Sequence, residues 1–271
     1  MTPDKRKAHL QNITGSNITE LRPGIYQFHG KKPGSHVYLI RGSDKNVLID
    51  TGIASNFPYI EECLRHVGVK VKDIHFVILT HEHFDHIGAT TFFFETAVIG
   101  AHRLAANKIE MQDEFVTMNK YLNVSSKPFY AHLWLEAGTI IDLSNYELRI
   151  LHSPGHTSGC ICIYEARERL IFSGDMVFAG GTLSEISTSG NISDYVNSLE
   201  RLSNLKINEL YPGHGRISLN PEQDMKQAVV YARTLLEDSK MLFEALTKKT
   251  GMPSHRIYYE NMAKAPRKKR K

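Results

Sequence analysis

Short apolar runs recur along the chain, most of them closed by glycine, asparagine or a proline-containing turn. The runs at 25–28, 37–41, 47–50 and 72–80 read as strands. Strand patterns return at 97–100, 139–141, 148–151, 161–165, 170–172 and 209–211. Wider spacing between them marks helices. Within 56–67, Ile60, Cys63 and Leu64 fall on one face, and within 194–205 Tyr195, Leu199 and Leu202 do the same. Segment 87–95 also reads as a short helix, and 104–121 as helical, either continuous or broken. A long helix is expected at 221–247, with Pro221 suited to its start and Gly251 and Pro253 closing it. Residues 1–23 read as irregular, and 125–137 as a loop holding the only tryptophan, Trp134. Periodicity therefore defines a mixed α and β chain and goes no further.

Composition narrows the class. The chain has 271 residues, 41% hydrophobic and 23% charged, which suits one large globular domain or one domain with an appendage. No run approaches the roughly 20 apolar residues of a membrane-spanning helix. The polar start at 1–10 does not read as a secretory leader. Cys63, Cys160 and Cys162 make no disulfide framework and point to a reducing, cytoplasmic setting. Cys160 and Cys162 are expected as small buried side chains on opposite faces of a strand. The net charge of +4 is concentrated in Lys264, Arg267, Lys268, Lys269, Arg270 and Lys271, without which the body is near −2. Such a body is not a nucleic-acid binder. The basic run reads as a solvated end, capable at most of a weak polyanion contact.

The chemistry concentrates at strand ends. His81-Glu82-His83-Phe84-Asp85-His86 directly follows the apolar run of 72–80. Ser153-Pro154-Gly155-His156-Thr157, Phe172-Ser173-Gly174-Asp175 and Tyr211-Pro212-Gly213-His214-Gly215 repeat the design: a strand, a glycine turn, and one His or Asp. Any one of these suits an ordinary capping or loop residue. Together they supply imidazole and carboxylate groups of the kind that bind zinc, in about the number two ions need. None of the three cysteines sits in a motif with a base.

With Leu48-Ile49-Asp50-Thr51-Gly52 ahead of them, these motifs resemble in order those of the metallo-β-lactamase fold superfamily, over about residues 24–215. The resemblance implies an α/β (α+β) fold, a four-layer αβ/βα sandwich of two mixed β-sheets with helices outside and a metal site along one edge. The catalytic domain would span 1–220, followed by a C-terminal helical appendage at 221–262 and a disordered basic tail at 263–271. Carried over position by position, His81, His83 and His156 match a first metal site. Asp85, His86 and His214 match a second, and Asp175 matches the carboxylate that bridges both. Asp85 is also taken as the catalytic carboxylate. Two Zn2+ are implied, with iron or manganese as alternatives. Histidine at 83, where flavodiiron relatives carry a carboxylate, favours a zinc hydrolase. Aspartate at 175 resembles the glyoxalase II, lactonase and ribonuclease Z branches rather than the antibiotic-resistance enzymes.

The implied reaction is attack by a metal-bridging hydroxide on the carbonyl of a small thioester, ester or lactone. Phe178 stands where lactonases typically place a tyrosine. Gly180-Gly181-Thr182-Leu183-Ser184-Glu185 lacks the Gly-Arg-x-Asp mark of glyoxalase II-like thioesterases. An acyl-homoserine-lactone-type lactonase is thus the alternative, and a nuclease or phosphodiesterase comes third. Asp50 is read as either an orienting residue or a turn cap. Glu82 is read as pointing away from the metals, toward solvent or in support of the ligands. His102 and His152 are read as structural, and His36 is given no role. A homodimer through 104–121 or the C-terminal helix is the one protein partner expected.

Overall fold

The computed structural model describes residues 11–12, 17–118 and 128–250. Among these, an eight-stranded sheet runs in the order β1 (Gln11–Asn12), β2 (Ile18–Arg22), β3 (Ile25–Phe28), β4 (Val37–Arg41), β5 (Asn46–Ile49), β6 (Ile74–Leu79), β7 (Val98–Ala101) and β8 (Leu133–Trp134). It is antiparallel up to β5 and parallel from there to β8. A second sheet holds β9 (Ile140–Asp142), β10 (Glu147–His152), β11 (Ile161–Glu165), β12 (Leu170–Gly174) and β13 (Glu209–Pro212). Only its β12–β13 pair is parallel. Both sheets are mixed, as the resemblance implied.

Strand period explains the layering. In β4, Val37 and Leu39 join one buried cluster while Tyr38 and Ile40 join another. In β6, Val77 and Leu79 face the first cluster and Ile78 the second. A sheet covered on both faces needs such continuous apolar runs. The second cluster joins residues of both sheets, including Ile49, Ile150, Ile163 and Phe172, and forms the centre of the sandwich. The first cluster lies under α1 (Phe57–His66), the four-residue α2 (Phe84–Ile87) and α3 (Arg103–Glu110). A short α4 (Glu114–Thr117) follows, begun by Asp113, whose side chain accepts from the Phe115 and Val116 amides. Against the other sheet, α5 (Ile192–Ser203) and α6 (Pro221–Thr250) close the third cluster through Tyr195, Leu199, Met225 and Ala228.

Several expectations need correction. Residues 18–22 are a strand, not irregular chain: Ile18 and Leu21 are buried in different clusters, on opposite faces, and the register shifts between Glu20 and Arg22, so no apolar alternation marks the strand. Segment 87–95 is not one helix. It breaks into the end of α2 and a 3-10 turn at Thr90–Phe92, because Gly88, Thr90 and Thr91 propagate a helix poorly. Leu133–Trp134 pairs with β7 where a loop was expected. Cys160 and Cys162 lie in the same cluster, on the same face, because positions two apart in a strand point the same way. Segments 119–121, 251–262 and 263–271 lie outside the described residues, and with them the end of the expected appendage and the expected basic tail. No helix of the described residues is long and apolar enough to cross a membrane.

The topology also fixes where chemistry can occur. β5 and β6 are parallel neighbours, and so are β12 and β13. β10 runs the same way as β12, with antiparallel β11 between them. Thr80, just past β6, accepts from the Ile161 amide at 2.8 Å, so the two sheets meet at this edge.

Candidate metal centre

Each expected site residue lies just past one of these strand ends. His81 and His83 occupy the turn after β6, and His83 also begins α2, which carries Asp85 and His86. His156 follows β10, Asp175 follows β12 and His214 follows β13. The structure brings all seven together in three overlapping groups: His81, His83 and His156; His81, His86 and Asp175; Asp85, His86 and His214. Within each group the donor atoms lie within 4.8 Å of one another. Gly213 makes room for this packing, since a Cβ there would collide with Asp175 Oδ1 and His86 Cε1.

His83 Nδ1 lies 3.1 Å from His81 Nε2 and 2.9 Å from His156 Nε2. On the other side, Asp85 Oδ2 lies 2.9 Å from His214 Nε2. Asp175 stands between. Its Oδ1 is 3.3 Å from His86 Nε2, and its Oδ2 is 3.7 Å from His214 Nε2 and 4.0 Å from His156 Nε2. His83 Nε2, His86 Nε2 and Asp175 Oδ1 are buried with no partner in hydrogen-bond geometry. An unsatisfied buried polar atom costs about 1–3 kcal/mol, so three in one cluster call for a shared partner. Converging imidazole nitrogens and carboxylate oxygens fit divalent transition-metal ions.

Surrounding groups orient the rings. Asp50 Oδ1 accepts from the Thr80 amide at 2.7 Å, and its Oδ2 accepts from the Thr80 hydroxyl at 2.8 Å and from His86 Nδ1 at 2.7 Å. The Thr80 hydroxyl, having given its proton to Asp50, is left to accept from His81 Nδ1 at 3.0 Å. The Glu185 carbonyl accepts from His156 Nδ1 at 2.5 Å. In His81, His86 and His156 the Nδ1 proton is thus engaged, and the Nε2 lone pair faces the centre. Asp50 is an orienting residue and not merely a turn cap. It holds φ at +58°, a conformation aspartate tolerates better than most residues.

Electrostatics follow from the crowding. Burial, then neighbouring imidazoles, hold His81 well below its usual range. Burial likewise pushes His83 down to about 3. Burial opposes charge on His86 too, but the carboxylates of Asp175, Asp85 and Asp50 outweigh it and raise its pKa. Burial would raise Asp175, yet His86 and the other imidazoles hold it well below the carboxylate range. A cation here takes the place of the His86 proton, because a ligating imidazole is neutral.

Two residues do more than their sequence context suggested. Glu82 points away from the clustered imidazoles, as expected, but is fully buried rather than solvated. It accepts from Lys108 Nζ at 2.8 Å, Thr157 Oγ1 at 2.9 Å and Ser189 Oγ at 3.1 Å. His36 bonds to the turn that carries His214, through a ring contact to the Gly215 carbonyl at 2.8 Å. No local motif marks either role. His102 starts α3 and stacks on His152 at 3.7 Å, a structural pairing as expected. The Phe178 ring lies 6.4 Å from that of His214.

Two mixed sheets with histidines and aspartates gathered at their common edge define a metallo-hydrolase. The family model of the metallo-beta-lactamase superfamily matches residues 31–214, and the chain belongs to that superfamily. It is 29% identical to the human acyl-coenzyme A thioesterase MBLAC2 over 214 residues, covering 69% of this chain and 75% of that protein. It is 34% identical to the probable metallo-hydrolase MJ0888 of Methanocaldococcus jannaschii over 200 residues, covering 71% and 93% respectively. Among solved structures, a metallo-beta-lactamase family protein from Thermus thermophilus superposes with a TM-score of 0.68 at 23% identity, covering 82% of this chain and 84% of that one, a likeness of fold.

Proposed function

We propose that this chain is a dinuclear, zinc-dependent hydrolase of small carbonyl substrates, with acyl thioesters first among thioesters, esters and lactones. His81, His83 and His156 would hold one ion, and Asp85, His86 and His214 the other. Asp175 would bridge them. The observation that carries this reading is the placement of Asp175, one oxygen toward His86 and the other toward His214 and His156. Divalent ions so held lower the pKa of water and polarise a carbonyl oxygen.

The chain's own residues support hydrolysis without a covalent intermediate. Burial pushes the Cys162 thiol up to about 12 and raises the buried Cys160 as well, so neither is a thiolate near neutral pH. Two carboxylates against two divalent ions leave the centre positive, which favours an oxyanion developing there. Phe178, beside His214, has no proton to give a leaving group. A thiolate leaves without that help more readily than an alkoxide does. The likeness to a protein named as an acyl-coenzyme A thioesterase points the same way.

The test is a panel of acyl thioesters, aryl esters, homoserine lactones and phosphodiesters, run on metal-loaded protein with and without chelator. Thioester turnover, abolished by chelator and restored by zinc, is expected, with two ions per chain by metal analysis. Turnover of lactones or phosphodiesters alone would overturn the substrate. Activity that survives complete metal removal would overturn the mechanism.

A further inference from the structure

We propose that His36 is a positioning residue for the half of the site that carries His214 and Asp85. The inference rests on the dinuclear reading and adds to it a residue that touches no reacting atom. His36 immediately precedes β4, and it holds the His214 turn from both sides. Its backbone amide donates to the Gly213 carbonyl at 2.8 Å, and its ring Nε2 lies 2.8 Å from the Gly215 carbonyl. Those two carbonyls flank His214.

Hydrogen bonding settles the ring's tautomer. His36 Nδ1 lies 2.8 Å from the Gly30 amide. A backbone N–H only donates, so Nδ1 accepts and the proton sits on Nε2. Nε2–H then donates to Gly215, and both ring nitrogens are used. The neighbouring Ser35 amide donates to the Asp85 carbonyl at 3.0 Å. One short segment therefore holds the backbones of both Asp85 and His214, whose side chains meet at 2.9 Å.

The two halves of the site differ in what they need. His81 and His156 are buried, with their rings oriented by Thr80 and Glu185. His214 is more open, its side chain 36% exposed, and its turn is flanked by Gly213 and Gly215, the latter at φ +80°. A turn flanked by two glycines has wide conformational freedom. The bonds from His36 restrict it, together with one from the Gly213 amide to the Gly174 carbonyl at 2.8 Å. Removing the His36 ring should loosen the His214 half and spare the other.

The experiment measures zinc stoichiometry and stepwise affinity by competition with a chromogenic chelator, alongside kcat and KM. The proteins are the wild type, His36→Ala, His36→Phe and His36→Gln. The wild type should bind two ions. His36→Ala should retain one tightly bound ion and bind the second about 10–100-fold more weakly, the range for loss of a ligand-orienting contact. His36→Phe keeps the ring volume and the backbone bond to Gly213 but lacks the ring bonds, so it carries the same expectation should the alanine chain fold poorly. His36→Gln, which restores an N–H donor, should recover part of the affinity. Two ions bound as in the wild type by both the alanine and phenylalanine variants would overturn the inference alone. So would equal weakening of both ions in a folded variant. A wild type that takes up only one ion would overturn the dinuclear reading, and this inference with it.

Discussion

Asp50 Oδ2 accepts from His86 Nδ1 at 2.7 Å, and the same carboxylate takes both the amide and the hydroxyl protons of Thr80. One buried aspartate thus orients His86 directly and His81 through Thr80. Substituting Asp50 with alanine removes the acceptor of His86 and releases the Thr80 hydroxyl that orients His81. Zinc affinity should fall about 10–100-fold, with Asp50→Asn intermediate because its amide oxygen can still accept. Competition against a calibrated chelator measures this, and unchanged affinity in Asp50→Ala would show that the rings hold their orientation unaided.

Gly213 offers a steric test. A methyl group there meets Asp175 Oδ1 and His86 Cε1, side chains from opposite sides of the sandwich. Gly213→Ala should lose most bound metal and hydrolysis while far-UV circular dichroism stays that of a folded protein. Full metal content in this variant would mean that the two side chains can part without cost.

The Glu82–Lys108 pair is a stability element beside the first three histidines. Glu82 is fully buried and the Lys108 side chain is 19% exposed. Removing one member of such a pair strands the other charge, at a cost of about 3–5 kcal/mol when burial is complete and less here. Lys108→Met should therefore lower the urea midpoint markedly. The double variant Glu82→Leu, Lys108→Met should recover much of the loss, because no lone charge remains. Equal midpoints for the single variant and the wild type would remove the ion pair from the account.

His36 is one contributor to the pH dependence of the metal-free protein, beside the depressed His81 and His83. Burial, partly offset by its bond to Gly215, holds this histidine down at about 4, against 6.5 for an ordinary one. The unfolded chain therefore binds this proton first as pH falls. The stabilisation is fully present above pH 6.5 and is lost as pH falls from there toward 4, by roughly 3 kcal/mol in all. Urea unfolding at pH 7 and at pH 4.5 should show a smaller drop in His36→Gln than in the wild type. An identical drop would place the acid sensitivity elsewhere.

The ligand-bearing positions were legible because they are local. An apolar run, a glycine turn and a His or Asp lie together along the chain, so β6 with His81 to His86 and β13 with His214 could be read before any folding. The resemblance then supplied the layering and the pairing of ligands with ions. The misreadings have local causes as well. Polar residues interleaved in 18–22 obscure a strand, and the two-residue period puts Cys160 and Cys162 on one face rather than on opposite ones. What no local pattern holds is contact across the sandwich. Glu82 meets Lys108 26 positions on and Ser189 107 positions on, and His36 meets Gly215 179 positions on. Side-chain chemistry and strand period belong to the sequence itself. Which lone pair faces the centre, and which residue steadies the His214 turn, are decided only when two sheets pack edge to edge, because hydrogen bonds act over about 3 Å and only packing brings such distant residues that close.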